Sequence, residues 1–205
     1  MSDSAHSARR LPRGSHGIPA DVVARNQRER LVAAMAEECE ERGYAETSVA
    51  AVAKRAGVSS VTFYKQFAGK RECLLAAHRE LLGRLLEELD RARGAAGEGE
   101  REKSRAALRA FLGLLAADPP TARLLAVEAL AAGPAGAERH DAAVRELAAR
   151  LRPAAGAADG APLPEAEWAR TAGVLALVGR LTMAGEAGRL PELEEGLAAT
   201  IATRM

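Results

Sequence analysis

The sequence predicts an all-α protein of about nine helices, in which a group of three short helices at the N-terminus precedes a larger helical part. Two observations support this fold class. The 205 residues are rich in Ala, Leu, Arg and Glu, which favour helices, and only 3% of them are aromatic. No stretch alternates β-branched and polar residues over more than a few positions. We therefore expect helices packed on helices, with no β-sheet.

The first 25 residues differ in composition from those that follow. They contain Arg9, Arg10 and Arg13 among Pro and Gly residues and show no apolar period, which predicts a flexible basic arm over residues 1–25. From Asn26 apolar residues recur at helical spacing, and Gly43 supplies a stop signal. The first helix is predicted between these two points.

Two very short helices are predicted next. Thr47 and Ser48 are capping residues ahead of an amphipathic helix over residues 49–55, which ends near Gly57. A second capped helix is predicted over residues 59–66. The connection of three to four residues between the two is typical of a helix-turn-helix.

A longer helix is predicted over residues 70–93, and a Gly/Ala-rich break follows it. Prolines and glycines then divide the remainder of the chain. Five further helices are predicted, near residues 101–117, 120–132, 135–152, 164–186 and 190–204.

The helix-turn-helix segment separates buried from outward-facing side chains. The apolar positions that can form a small core between the first three helices are Val49, Val52, Val58, Phe63 and Phe67. The side chains left on the outside are Ser59, Ser60, Thr62, Tyr64 and Lys65. Hydroxyl groups beside a tyrosine and a lysine suit a DNA groove, and basic residues outnumber acidic ones in residues 1–75.

The stretch ERGYAETSVAAVAKRAGVSSVTFYKQFAGKRECLL resembles the DNA-binding domain of the tetracycline-repressor (TetR) family over some 35 positions. The resemblance implies a cytoplasmic regulator, with a DNA-binding domain over residues 26–72 and a ligand-binding and dimerisation domain over residues 73–205. Its function would be that of a ligand-responsive repressor, which binds a palindromic double-stranded DNA operator as a dimer and is released by an unknown small-molecule effector.

The resemblance and the outward-facing pattern together give a set of candidate DNA contacts. We expect base edges or adjacent phosphates to meet Ser59, Ser60, Val61, Thr62, Tyr64 and Lys65. The DNA backbone is expected to be held by Thr47, Ser48 and Lys70. Val61 stands where most members have a small residue, so an apolar contact to a thymine methyl group is expected there.

The last two predicted helices carry more apolar residues than one core contact requires. In residues 164–186 one face is marked by Trp168, Ala172, Leu175 and Gly179, and another by Val174, Leu177, Val178 and Leu181. A second stripe consists of Leu190, Leu193, Leu197 and Ile201. This predicts a homodimer through these two helices, and the alternative is a monomer that buries them itself.

A mostly apolar ligand cavity is expected among the central helices, with Phe111, Leu115, Leu125 and Glu128 as candidate ligand-binding residues. A carboxylate among apolar neighbours needs a partner. Glu128 therefore either faces the ligand or forms an internal ion pair, for which the candidate partners are Arg105, Arg109 and Arg180.

Other functions have little support in the sequence. There is no Gly-rich phosphate loop after a strand, and His6, His16, His78 and His140 are scattered, so no enzyme, metal site or cofactor is expected. A redox switch formed by Cys39 and Cys73 has only the number of thiols in its favour. No apolar run is long enough to span a membrane. The remaining alternative is a helical interaction module that does not bind DNA.

Overall fold

The computed structural model describes residues 19–152 and 163–202, and within these ranges the secondary structure is entirely helical. It comprises nine α-helices and two short 3-10 helices, which confirms the predicted fold class. The α-helices are α1 (Ala20–Glu46), α2 (Val49–Arg55), α3 (Ser60–Gln66), α4 (Lys70–Ala95), α5 (Glu100–Ala117), α6 (Pro119–Ala126), α7 (Pro134–Leu151), α8 (Glu165–Met183) and α9 (Glu194–Ala202). The 3-10 helices are Glu128–Ala132 and Ala187–Leu193.

The first helix begins earlier than the sequence predicts. Helix α1 starts at Ala20, directly after Pro19, so the predicted arm of residues 1–25 is wrong over its last six residues. Proline suits the start of a helix because it has no N–H to leave unpaired, and Asp21 in the first turn is favoured by the helix dipole. The rest of the predicted arm, residues 1–18, lies outside the described residues.

Helix α1 is interrupted near its C-terminal end by Gly43. The backbone of Gly43 has φ 78° and ψ 158°, a conformation that L side chains rarely adopt. The predicted stop is therefore a kink, after which the chain continues for three helical residues to Glu46. The kink turns the end of α1 toward α6 and the 3-10 helix that follows it.

Helices α1, α2 and α3 form a small three-helix unit. Val52, Phe63 and Phe67 are buried between them, as the apolar pattern predicts. Helix α1 also packs against α4 and α6, so the small unit and the larger helical part share a continuous apolar core. Within the larger part, α4 packs on α5 and α7, and α6 packs on α8.

Two of the predicted helices are broken in the structure. The predicted helix over residues 120–132 ends at Ala126, because Val127 leaves helical geometry (φ −127°, ψ −58°) and a 3-10 turn follows. The predicted helix over residues 190–204 starts as a 3-10 helix that contains Pro191, which cannot donate a backbone hydrogen bond. Regular α-helix resumes only at Glu194, and residues 203–205 lie outside the described part.

Among the helices of the described residues, none combines the length and the apolar character needed to cross a membrane.

Candidate nucleic-acid interface

A glycine shapes the turn between α2 and α3, and a serine caps the start of each of these helices. Gly57 has φ 63°, and a Cβ atom there would lie 2.7 Å from the Arg30 guanidinium, so a side chain would be both strained and crowded. Ser48 caps α2 by accepting from the Ala51 N–H at 3.1 Å. Ser59 caps α3 by accepting from the Thr62 N–H at 3.1 Å. These local bonds fix where α3 begins and how it leaves the turn.

Helix α3 presents most of its side chains to the outside. Phe63 is its buried residue, with 0% exposure, and anchors the helix against α1 and Phe67. Val61 is 67% exposed and Tyr64 is 59% exposed, one turn apart on the same face. The predicted contact residues Ser59, Ser60 and Lys65 are also exposed, and Thr62 is half-buried with its hydroxyl 3.0 Å from that of Ser59. The outward surface predicted for this helix is therefore present.

Two of the residues predicted to contact the DNA backbone already form hydrogen bonds inside the protein. Thr47 is buried, and its hydroxyl donates to the Gly43 carbonyl at 2.9 Å, so it closes the end of α1. Lys70 Nζ donates to the carbonyls of Tyr44 at 2.8 Å and Ala45 at 3.2 Å, and it lies 4.3 Å from the centre of the Tyr44 ring. We leave Thr47 out of the proposed DNA contacts because its only polar group is already bonded. Lys70 has three N–H donors and keeps one for a further acceptor.

Several arginines of this unit serve its internal packing. Arg55 forms ion pairs with Glu37, Glu38 and Glu41 of α1, and its hydrogen bonds to Glu41 and Glu38 raise its pKa. Arg28 pairs with Glu80 at 2.8 Å and lies over the Phe67 ring. Two further exposed basic residues are Lys54, in the last turn of α2, and Arg71, at the start of α4. The sequence pattern predicts neither as a DNA contact, although Arg71 directly follows the predicted contact Lys70.

The candidate ligand residue Glu128 links the two parts of the molecule. Its carboxylate accepts from Arg123 Nε at 2.7 Å and from the backbone N–H of Tyr44 at 2.8 Å. Arg123 also donates to the Glu40 carbonyl at 2.6 Å. The two side chains thus hold the kinked end of α1 from both sides of Gly43.

Glu128 thus forms an internal ion pair, one of its two predicted roles, but the predicted partners are wrong. Arg105 and Arg109 both bind Glu194, so they tie α5 to α9 instead. Arg180 is exposed on α8. The actual partner, Arg123, comes from the preceding helix, because the break at Val127 turns Glu128 back toward α1.

The other candidate ligand residues lie in the apolar core. Phe111 and Leu115 on α5 and Leu125 on α6 are at most 2% exposed and belong to one cluster. Their burial agrees with a position on the wall of an enclosed site and equally with ordinary core packing.

The residues that suggested a dimer are mostly buried by the chain itself. Val174, Leu175, Val178 and Leu181 are each at most 3% exposed, packed within the single chain. The apolar excess predicted from them is therefore wrong, since α8 packs on both α6 and α7. The outer surface of α8 consists mainly of small residues, among them Ala169, Gly173 and Ala176, with Arg180 and Met183 toward its end. Leu190 and Leu197 are buried as well, and the side chain of Ile201 lies outside the description.

Both cysteines are buried free thiols. Burial raises the pKa of Cys39 to about 11 and raises that of Cys73 further. Thiols held in the neutral form are poor nucleophiles, which argues against the redox switch considered above. Within residues 19–152 and 163–202, no cluster of His, Cys, Asp and Glu has the arrangement of a metal site.

An exposed, capped helix carried by a three-helix unit on a larger helical body defines the class of helix-turn-helix proteins. Comparison with known proteins makes this more specific. The model of "Bacterial regulatory proteins, tetR family" matches residues 31–77, which contain α2, α3 and parts of α1 and α4. Over residues 31–77 the chain is therefore similar to the TetR family of bacterial regulatory proteins.

Individual relatives agree with this assignment. The HTH-type transcriptional regulator BetI of Stenotrophomonas maltophilia is 37% identical over 89 residues, which are 43% of this chain and 45% of that protein. The match therefore spans less than half the length of that relative. The fatty acid degradation regulator FadR of Bacillus halodurans has a similar structure, with a TM-score of 0.69 at 19% identity over 87% of this chain and 96% of that chain.

The transcriptional regulator FadR of Bacillus subtilis, solved in complex with stearoyl-CoA, gives the same TM-score of 0.69 at 18% identity, covering 86% of this chain and 98% of that chain. At these identities the two FadR structures establish a shared fold over both parts of the molecule.

Proposed function

We propose that this chain is a DNA-binding transcription regulator that acts in the bacterial cytoplasm as a ligand-responsive repressor. The observation that carries the proposal is the surface of α3, on which Val61 and Tyr64 are exposed while Phe63 anchors the helix. A short helix held at one buried point can enter the major groove with its outer face against the base edges. No catalytic activity is part of the proposal, since the family is one of regulatory proteins.

The proposed contacts divide into two groups. Base edges meet Ser60, Val61, Tyr64 and Lys65 on the outer face of α3. Phosphates meet the two serine-capped helix starts, through Ser48 and Ser59, and the basic groups Lys54, Lys70 and Arg71. Thr62, with its hydroxyl bonded to that of Ser59, supports the start of α3.

The test uses the full-length protein and DNA duplexes selected from a random pool. We expect a palindromic site, and Tyr64→Ala and Lys65→Ala should weaken binding to it by at least tenfold, as loss of one or two groove contacts would. Val61→Gly should change the preferred base at one position in each half-site. Arg84→Ala, an exposed arginine in the middle of α4, is the matched control and should bind as the wild type does. If no sequence is enriched, the alternative of a helical interaction module gains support.

Response to a small molecule is the second part of the proposal. Its support is the long apolar core of α4 to α8 and the stearoyl-CoA bound by the Bacillus subtilis FadR, whose fold is shared. An effector that separates the walls formed by Phe111, Leu115 and Leu125 would move α5 against α6. Arg123 on α6 pairs with Glu128 just after that helix, and Glu128 binds the backbone of α1. Such a movement would therefore reach the small three-helix unit.

We also propose a homodimer through α8 and α9. Small exposed residues such as Gly173 and Ala176 allow two helices to approach closely, and a two-fold axis beside them would pair α8 and α9 of both protomers. A palindromic operator requires this arrangement, because two recognition helices must reach successive major grooves about 34–36 Å apart.

A further inference from the structure

Two histidines lie on facing helices inside the larger helical part. His78 on α4 is 0% exposed, and His140 is half-buried on α7, which packs directly against α4. Three ring nitrogens have no hydrogen-bond partner in the described part of the chain: Nδ1 and Nε2 of His78, and Nδ1 of His140. The Leu125 carbonyl acts on the His78 ring and favours its protonated form, but it does not reach hydrogen-bonding geometry.

A buried imidazole without a partner requires a physical explanation. The great majority of buried polar side-chain atoms are hydrogen-bonded, and leaving one unbonded costs about 1–3 kcal/mol. A leucine would fill the same space in the core without this cost. Because the charge of His140 acts on the pKa of His78, the two rings lie close together, and one polar partner would satisfy both.

The surroundings indicate what kind of partner fits. Leu74 and Leu82, one helical turn before and after His78, are buried, as is Val144, one turn after His140. Burial lowers the pKa of His78 to about 4, and the positive charge of Arg139 acts in the same direction. Arg139 therefore contributes a positive potential at His78, whereas the carboxylate of Asp141 acts with the opposite sign on His140. An apolar site with a positive potential and imidazole N–H donors favours an anionic group attached to an apolar body.

We propose that His78 and His140 form the polar end of the effector site and bind the carboxylate of an effector whose remaining body is apolar. Each imidazole donates one N–H to the carboxylate, and Arg139 adds its charge. This inference deepens the ligand response proposed above. Carboxylate binding at the two histidines does not depend on the proposed function, but the effect of that binding on DNA affinity rests on it. It places the polar end of the site between α4, α7 and the break at Val127.

The test measures binding of sodium dodecanoate to the full-length protein by calorimetry, with 1-dodecanol and methyl dodecanoate as probes of the same apolar length. We expect dodecanoate to bind at least about tenfold more tightly than either neutral probe. His78→Leu and His140→Leu should each remove about tenfold or more of that preference while leaving the neutral probes unaffected. His78→Gln keeps a donor and should retain more of the preference than His78→Leu.

Stability provides an independent measurement on the same variants. Because His78→Leu removes an unbonded polar group, the melting temperature of the ligand-free variant should be at least about 2–4 °C above that of the wild type. The proposal is overturned if dodecanoate does not bind, if the neutral probes bind equally well, or if both leucine variants retain the preference. Each of these results would mean that the ring nitrogens of His78 and His140 bond only to a structural water molecule.

The outcome is separable from that of the proposed function. Operator binding is measured without any probe, so a protein that binds DNA selectively but shows no carboxylate preference overturns this inference alone. A protein that binds dodecanoate through His78 but selects no DNA sequence overturns the DNA-binding proposal alone. If both hold, dodecanoate should weaken operator binding in the wild type and not in His78→Leu.

Discussion

Lys70 shows how one side chain can serve both packing and binding. Its ammonium group holds two carbonyls at the end of α1, where the helix dipole is negative, and a third donor remains for a phosphate. The sequence suggested the phosphate role, and only the structure revealed the other.

We expect Lys70→Ala to affect both roles. Loss of the two carbonyl contacts should lower the melting temperature by about 2–4 °C, which corresponds to about 1 kcal/mol. Loss of a phosphate contact should weaken binding to all DNA sequences and reduce the salt slope, that is, the change of log K with log salt concentration, by about 1. Lys103→Ala on α5, far along the chain from α3, is the control for the salt slope. A slope that stays at the wild-type value in Lys70→Ala would leave Lys70 with the packing role alone.

His78 makes the stability of the protein depend on pH. Its pKa is about 4 in the folded protein, lowered first by burial and then by Arg139 and His140, against an ordinary value of 6.5. The unfolded chain therefore takes up a proton near pH 6.5, whereas the folded protein does so only near pH 4. The contribution to stability is complete above pH 6.5 and is lost as the pH falls toward 4.

The expected loss from this one group between pH 7 and pH 5 is roughly 2 kcal/mol of unfolding free energy. The pKa of His140 is also lowered, by burial, and so acts with the same sign. Urea unfolding of the wild type and of His78→Leu at both pH values measures the difference. Equal pH dependence in the two proteins would show that His78 is protonated in the folded state as readily as in the unfolded chain.

At the scale of elements, the important contact is between the end of α6 and the kinked end of α1. Arg123 and Glu128 lie on either side of the break at Val127, and together they bind the backbone of Glu40 and Tyr44 around Gly43. A continuous helix through residue 127 would direct Glu128 elsewhere. The irregularity in the larger part therefore creates the attachment to the smaller one.

Glu128→Gln should weaken this attachment without removing it. Glutamine still accepts from the Tyr44 N–H but loses the charge that faces Arg123, so we expect a loss of about 1–3 kcal/mol in stability and weaker operator binding. Glu146→Gln, an exposed glutamate on α7, is the control. Thermal melting and DNA titration should be combined with Arg123→Met in a double-mutant cycle. Additive effects in that cycle would mean that the two residues do not act as a pair.

At the level of the whole molecule, the proposed operator binding requires a second copy of the chain. The outer surface of α8 is the proposed contact, and Gly173 lies in its middle with open space around an added Cβ atom. Gly173→Arg should give a monomer of 21.5 kDa in sedimentation and lose operator affinity.

Gly113→Arg is a closely matched control for that variant. Gly113 is also exposed in a long helix, α5, with nothing near its Cβ position. It should leave both the sedimentation coefficient of the dimer and the affinity for DNA unchanged. A wild-type protein that sediments as a monomer at micromolar concentration, with and without operator DNA, would contradict the proposed dimer.

The helical class, the helix-turn-helix and the outward face of α3 can all be predicted from the amino-acid sequence. These follow from local physics, since apolar periodicity, serine caps and glycine stops act within a few residues of one another. Val61 and Tyr64 are exposed, and Phe63 is buried, where the pattern placed them.

Which charges meet and which apolar faces are covered is seen only in the packed fold. Glu128 accepts from the backbone N–H of Tyr44, 84 positions earlier, and Arg105 and Arg109 bond to Glu194 on the last helix. The apolar faces of α8 are covered by the chain's own helices. Such partners depend on helix packing and on breaks such as the one at Val127, which no local signal specifies.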